Sequence, residues 1–329
     1  MQEVYKNVFM FPVSLPNSPL REINIYIVKG KDRSIVIDTG FNKPESKKDL
    51  LEGIKSLGLE LKDLDLVLTH LHSDHAGLAS MFAEAGCKIY TSRIDGDILN
   101  HTIQDAYWEY FLTFRKLYGM DEDEVDVIDH AGYAFKPEKQ IEFIELNPGD
   151  TLKVGDYKFD ILDLKGHTPG HIGLYEKDHK ILFGGDTVLD PITPNITDWG
   201  KEYDDILGTY LVTLRTLLSM DLKYIFPSHR QIIVDHKNRV EQLISHHYLR
   251  MQEILDAMDF NKEYTVKEVS AHISWRIKAK GWENFPKAQK WFATGETMSH
   301  MEHLVKQKFL SMREDDGVYK FTKLKERVK

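Results

Sequence analysis

Apolar and polar positions alternate along the first half of this chain in short blocks, each with its own period. Residues 24–29 (NIYIVK) and 34–38 (SIVID) are rich in Ile and Val and flank Gly30-Lys31-Asp32-Arg33, which predicts two short strands around a turn. Asp38-Thr39-Gly40 ends the second strand. Over 46–57, Leu50, Leu51, Ile54 and Leu57 recur at helical spacing with lysines opposite, so an amphipathic helix is expected. The run 64–69 (LDLVLT) reads as a buried strand, 76–85 as a helix and 88–90 as another strand.

Between about 95 and 140 the pattern changes. Tyr107, Trp108, Tyr110, Phe111, Phe114 and Tyr118 fall at helical spacing within 103–118, and the acidic stretch Asp121-Glu122-Asp123-Glu124 follows. The segment is read as a helical insertion. Its aromatics are expected to be core residues; the alternative is that they roof an active site and supply its apolar wall. Strand character returns at 142–146, 151–154, 157–164, 172–175 and 180–183, with turns at Pro148-Gly149-Asp150 and Val154-Gly155-Asp156. Residues 203–219 are helical and 223–226 (KYIF) form a strand. Beyond 250 a helix continues over 250–258, a second begins at 264–269 and a third covers 288–308. Residues 309–321 then read as a hairpin about Asp316-Gly317.

Composition narrows the class. The 329 residues suffice for one large domain with an appendage, or for two domains. No apolar run reaches the length of a membrane span, and the N-terminus carries Pro12 and Pro16 with no small-residue cleavage site, so neither a span nor a secretory leader is expected. Cys87 is the only cysteine, which excludes intramolecular disulfides and Cys-rich zinc sites and points to the cytoplasm. Cys87 itself is read as a buried small residue. Formal charge is uneven. Residues 250–329 hold 16 Lys and Arg against 12 Asp and Glu, a local +4 in a chain of −9, which leaves −13 for the rest. That contrast marks a domain boundary near 250 and argues against a broad basic surface on the main body.

The chemistry is concentrated in histidines, of which there are 15. His70-x-His72-x-Asp74-His75 directly follows a predicted buried strand, where side chains two apart can converge on one ion while Asp74 and His75 turn toward another. Imidazole nitrogen and carboxylate oxygen are the ligands of hydrolytic metal sites. Further candidates each follow a predicted strand: His167 in Gly166-His167-Thr168-Pro169-Gly170-His171, Asp186 in Gly184-Gly185-Asp186-Thr187, and His229 in Pro227-Ser228-His229. His171, His246 and His247 are read as structural.

Over residues 20–240 these motifs resemble the metallo-β-lactamase superfamily. The resemblance implies an α/β (α+β) fold, an αβ/βα sandwich with its metals at one edge. It implies that His70, His72 and His167 bind one metal, that Asp74, His75 and His229 bind a second, and that Asp186 bridges them. Asp38 matches the family's acidic position that orients a ligand by hydrogen bonding. The cofactor expectation is two divalent ions per chain, zinc by default, with iron or manganese compatible with the same donors. A metal-bridging hydroxide would be the nucleophile, with Asp74 and Asp186 the catalytic carboxylates.

Within the superfamily, His72 stands where the flavodiiron branch has glutamate, which favours hydrolysis. Leu189 stands where quorum-quenching lactonases carry tyrosine, and the basic residues by which glyoxalase II holds glutathione find no match. Three helices and a hairpin at the C-terminus resemble the winged-helix module of the lactamase-B-like sub-family, as does Asp190-Pro191-Ile192-Thr193-Pro194-Asn195-Ile196. The expected organisation is a catalytic domain over 1–248 and a winged-helix-like domain over 249–329. Glu314-Asp315-Asp316 at the wing tip would repel phosphate, so sequence-specific DNA binding is not expected. The leading expectation is a small-molecule ester, thioester or lactone hydrolase. The alternative is a phosphodiesterase or single-strand endoribonuclease with RNA as partner, which needs a basic groove with stacking aromatics. A third reading is a metal-binding regulatory protein without catalysis. A homodimer is compatible with the aromatic insertion.

Overall fold

The computed structural model describes residues 1–120 and 125–328. The acidic stretch Asp121 to Glu124 lies outside the described residues.

A seven-stranded sheet takes its strands in chain order: β1 (Gln2–Tyr5), β2 (Val8–Ser14), β3 (Glu22–Val28), β4 (Ser34–Ile37), β5 (Leu64–Val67), β6 (Ile89–Thr91) and β7 (Ile144–Glu145). The second sheet has β8 (Thr151–Val154), β9 (Tyr157–Asp163), β10 (Ile172–Glu176), β11 (Ile181–Gly185) and β12 (Tyr224–Pro227), in the order β12-β11-β10-β9-β8. The strands β4, β5 and β6 run parallel, as do β11 and β12.

Period-2 alternation decides which core each side chain joins. In β3, Ile23, Ile25 and Ile27 join one cluster while Tyr26 and Val28 join another. The second cluster lies between the sheets: Tyr26, Val28, Ile35, Ile37 and Val67 meet Phe159, Ile161, Leu174, Phe183 and Phe226. The outer face of the first sheet packs on α1 (Pro44–Ser56), α3 (Ala79–Glu84) and α4 (Arg93–His101) through Leu50, Ile54, Phe82, Ile98 and Leu99. The helix expected over 76–85 is α3, which starts later than expected because a separate turn, α2 (Ser73–Ala76), ends just before it. Gly77 stands at the break, and a Cβ there would lie 2.6 Å from Gly40 O and Asn42 N, so only glycine permits this approach.

The expected aromatic helix is α5 (Asp105–Leu117), and α6 (Ala131–Ala134) follows it. Trp108 alone is buried in α5, while Tyr107, Phe111 and Phe114 from α5 and the following Tyr118 line a cavity. Tyr118 also belongs to the helical core, and Phe111 and Phe114 pack against it, so these side chains serve as core and as apolar wall at once.

The outer face of the second sheet is covered by α7 (Ile206–Ser219), α8 (His236–Asp256), α9 (Val266–His272) and α10 (Lys287–Lys306). A C-terminal sheet, β13 (Glu263–Tyr264), β15 (Val318–Lys323) and β14 (Leu310–Asp315), completes the chain. Its hairpin turns at Asp316-Gly317, both with positive φ. Leu207, Tyr210 and Leu214 of α7 share one continuous core with Met301, Leu304, Leu310 and Phe321. Helix α8 runs unbroken through residues 248 and 249.

Candidate metal centre

The parallel strands hand their following residues to one edge. Asp38 follows β4 in a left-handed conformation with φ 63°. The His70–His75 segment leaves β5 and enters α2, Asp186 follows β11 and His229 follows β12. His167 lies beyond β9. Hydrogen bonds hold the end of β12 on the first sheet: Asn24 N donates to Ser228 O at 2.7 Å, Tyr26 OH donates to Pro227 O at 2.8 Å, and Asn24 Nδ2 donates to Arg230 O at 2.9 Å.

All seven ligand candidates meet there. His70, His72 and His167 form one group whose donor atoms lie within 4.8 Å of one another, and Asp74, His75 and His229 form another. Asp186 groups with His70 and His75, and its Oδ2 lies 3.5 Å from His75 Nε2, 3.6 Å from His229 Nε2 and 3.7 Å from His167 Nε2.

The outward partner of each ring sets which nitrogen faces inward. His75 Nδ1 donates to Asp38 Oδ2 at 2.8 Å, His167 Nδ1 to Asn195 O at 2.8 Å and His229 Nδ1 to Glu22 O at 3.0 Å. His70 Nδ1 lies 3.0 Å from Thr69 Oγ1, which itself donates to Asp38. In this tautomer each Nε2 presents a bare lone pair. His72 is reversed: its Nδ1 lies 3.1 Å from His70 Nε2 and 2.9 Å from His167 Nε2.

The donor set fits divalent ions. His75 Nε2, His229 Nε2 and Asp186 Oδ1 are buried and have no hydrogen-bond partner, although buried polar atoms are ordinarily satisfied. A cation between them accounts for all three. Burial, reinforced by the neighbouring imidazoles, holds His70 and His72 well below the usual histidine range, which keeps their lone pairs available. Burial alone would raise Asp74 and Asp186, but the imidazoles of His75 and His229 outweigh it, so both carboxyls lie below their usual range. Asp38 accepts four hydrogen-bonding groups: Thr69 N and Oγ1, His75 Nδ1 and Ser228 Oγ.

His171 joins neither trio. It stacks on His70 at 4.8 Å, and its Nε2 accepts from Asp186 N at 3.1 Å. His247 meets His300 within the helical core at 3.0 Å. Cys87 is buried, with Sγ donating to Leu61 O.

Sequence reasoning missed Asp95. This buried carboxyl accepts from Leu71 N at 3.0 Å, Thr168 Oγ1 at 2.6 Å and Gly170 N at 2.7 Å, tying the His70–His75 loop to the His167–His171 loop. A Cβ on Gly170 would stand 2.5 Å from Asp95 Oδ1, which explains that glycine. Nothing local marks Asp95 beyond its place three residues after the N-capping Ser92. Trp199 was missed too. Its ring stacks near His72 at 6.0 Å.

A cavity of about 950 Å³ opens from this centre. His72, Asp74, His167 and Asp186 stand at one end, the aromatics of α5 form a wall, and α8, α10 and residues 274–277 close the remainder.

Comparison with known proteins agrees with this architecture. Residues 19–229 match the metallo-beta-lactamase superfamily, and residues 283–324 match the metallo-beta-lactamase-like C-terminal domain. The chain belongs to the metallo-beta-lactamase superfamily. A probable metallo-hydrolase of Bacillus subtilis, YqjP, is 24% identical over 256 residues, 72% of this chain and 76% of that one. The human acyl-coenzyme A thioesterase MBLAC2 is 28% identical over 201 residues, 56% of this chain and 65% of its own length. A hydroxyacylglutathione hydrolase, GloC, of Haemophilus influenzae is 31% identical over 141 residues, 43% of this chain and 56% of that one. In fold, a metallo-beta-lactamase family protein of Thermus thermophilus superposes with a TM-score of 0.82 at 22% identity, covering 98% of this chain and all of that one (100%). The chain is thus a metal-dependent hydrolase of this superfamily, and its His/Asp clusters are its candidate metal ligands. Among the described residues no helix is long and apolar enough to cross a membrane.

Proposed function

We propose that this hydrolase cleaves small-molecule thioesters, with esters and lactones open to the same carbonyl chemistry. The observation that carries this reading is the aromatic-walled cavity of about 950 Å³ that ends on the ligand trios. Such a volume accommodates an acyl group of some size against an apolar wall. The relatives named for acyl-coenzyme A and hydroxyacylglutathione support the same bond class. The site is read as dinuclear: His70, His72 and His167 would hold one ion, Asp74, His75 and His229 a second, with Asp186 between them. Zinc suits this nitrogen and oxygen donor set.

Divalent ions there would supply water of lowered pKa and polarise the scissile carbonyl. The chain's own residues do the rest. Asp38 holds His75 in the tautomer that turns Nε2 inward, and the Asn195 carbonyl does the same for His167. Asp74 Oδ2, 3.2 Å from His229 Nε2, stands within the site to take the proton of an attacking water. Tyr107, Phe111 and Trp199 exclude bulk water from the acyl side.

Residues 249–329 are read as a winged-helix-like module that closes the cavity. Its cavity residues Trp291, Phe292 and Glu296 come from α10, and the wing-tip acids Glu314 and Asp315 disfavour a phosphate backbone. The test is metal analysis followed, on one sample, by assay of thioesters, lactones, bis-p-nitrophenyl phosphate and a short RNA. About two metals per chain with thioester turnover is the expected result. Cleavage of the phosphodiester or the RNA without thioester turnover would replace this reading with the nuclease one.

A further inference from the structure

Two arginines of the cavity wall, Arg250 of α8 and Arg276 of the 274–277 segment, both lie close enough to His246 to act on it electrostatically. Arg250 is only 10% exposed in its side chain. Its Nη1 donates to Glu253 Oε2 at 2.7 Å and to Ser274 O at 2.6 Å, and its guanidinium lies 4.5 Å from the Trp275 ring centre. Its Nε is buried without a hydrogen bond, 3.5 Å from Glu296 Oε1, and among the described residues no hydrogen bond uses Nη2. Arg276, beside Trp275, is exposed and has neither a hydrogen bond nor an ion pair among the described residues. Both arginines belong to the cavity wall.

The acids of that wall, apart from those at the metal centre, are already engaged. Glu253 accepts from Ser274 N as well as from Arg250, Glu296 accepts from Asn195 Nδ2 at 2.9 Å, and Asp198 accepts from Tyr118 OH and Gly200 N. Asp129 accepts from Asp126 N and faces Lys287. The donors left over at this end are Arg250 Nη2 and the Arg276 guanidinium, with no hydrogen bond to either among the described residues. Burial, with the fields of Arg250 and Arg276, pushes the adjacent His246 down to about 4, so the positive charge of the corner resides on the guanidiniums.

We propose that Arg250 and Arg276 seat an anionic group, a carboxylate or a phosphate, carried by the substrate away from its reacting carbonyl. A guanidinium with free N–H donors in a partly desolvated wall recognises such oxyanions by charge-assisted hydrogen bonds. The seat is joined to the metal end by a short relay: His167 Nδ1 to Asn195 O, Asn195 Nδ2 to Glu296, and Glu296 to Arg250. An anion held there fixes the substrate at both ends. The inference rests on the thioesterase reading for the identity of the reacting group, but the anion seat is separately measurable.

The experiment uses one acyl group on three thiols: N-acetylcysteamine, which is neutral; glutathione, which bears carboxylates; and coenzyme A, which bears phosphates. The variants are Arg276→Gln, at an exposed position without partners, and Arg250→Lys, which keeps a charge for Glu253 and Glu296 but drops the Nη2 donors. The ratio of kcat/KM, anionic over neutral, should fall about ten-fold or more in both variants for at least one anionic thiol. Loss with glutathione alone assigns a carboxylate, and loss with coenzyme A alone a phosphate. Ratios unchanged for both thiols overturn the seat while leaving thioester hydrolysis in place. Calorimetric binding of free glutathione and coenzyme A to each protein separates the remaining case. If no thioester turns over, weaker binding by the variants upholds the seat and removes the thioesterase reading, whereas equal or absent binding removes both.

Discussion

Asp38 does its work through other residues. Its carboxylate receives His75 Nδ1 at 2.8 Å and also Thr69 N and Ser228 Oγ, so one side chain after β4 orients groups that follow β5 and β12. Asp38→Asn replaces an acceptor with a donor facing donors. Metal affinity should fall about 10- to 100-fold, read by competition with a chromophoric chelator. An unchanged affinity would remove Asp38 from the site. Asp95 gives a second prediction at this scale. Burial pushes it up to about 7, against the pull of Thr168, Gly170 and Leu71. A carboxyl raised in the folded state stabilises fully below its unfolded pKa of about 4, and that contribution is lost as pH rises through about 7. Urea titrations should therefore show stability declining from pH 4 toward pH 7 through this group. Asp95→Asn should remove that slope and cost about 1–3 kcal/mol by stranding buried donors. The candidate ligand histidines were legible in the sequence because short motifs such as His70-x-His72-x-Asp74-His75 concentrate donor residues in a few positions. Asp95 was not, since its role arises only when two distant loops meet on it.

At the scale of elements, α5 carries the specificity argument. Phe111 and Phe114 project from one helix into the cavity, and Phe111 packs against Trp291 of α10 at 4.8 Å. Phe111→Ala removes apolar wall from the acyl side and leaves the ligand loops untouched. For a long-chain acyl thioester kcat/KM should fall about ten-fold, the equivalent of about 1.4 kcal/mol of lost apolar contact, and for the acetyl thioester much less. Equal losses across chain lengths would place the acyl group elsewhere. Helical spacing announced α5 but could not say whether its aromatics met a core or a cavity, because both require the same apolar face. The N-terminal pair β1 and β2 went unread for a different reason. Pro12 argues against a central strand, yet β1 pairs with β2 only as far as Met10, so Pro12 sits where no partner needs its missing N–H. The hairpin at Asp316-Gly317 was legible because turn chemistry and alternation are both local signals. The packing of α10 on α7 was not, since that contact joins residues about 90 apart.

For the whole molecule, the centre would act as a clasp. Its candidate ligands arrive from separate segments, at 70–75 from the first sheet and at 167, 186 and 229 from the second, so any ion held there ties one sheet to the other. Without a cation, the buried carboxylates of Asp74 and Asp186 have the imidazoles of His75 and His229 as counter-charge. A ligand that binds only the folded state, at about 1,000 times its Kd, stabilises it by about 4 kcal/mol. For a chain of this size that corresponds to a Tm change on the order of 5–10 °C. Exhaustive chelation should lower Tm by that amount in a calorimetric scan, and restoring zinc should recover it. His72→Ala, which opens one trio, should respond to chelation less than the native chain. A native Tm indifferent to chelation would mean that no ion bridges the sheets, and the three unsatisfied atoms of His75, His229 and Asp186 would then need another partner. The clasp also predicts where the chain loosens first. With the ion gone, the ends of β11 and β12 keep across the sheets a few hydrogen bonds at the sheet edge, from Asn24 and Tyr26 and from Ser228 and His229 to Asp38 and Glu22. Amide exchange should therefore accelerate at 185–187 and 228–230 before it does in the inter-sheet core around Phe183 and Phe226, where packing is independent of the metal.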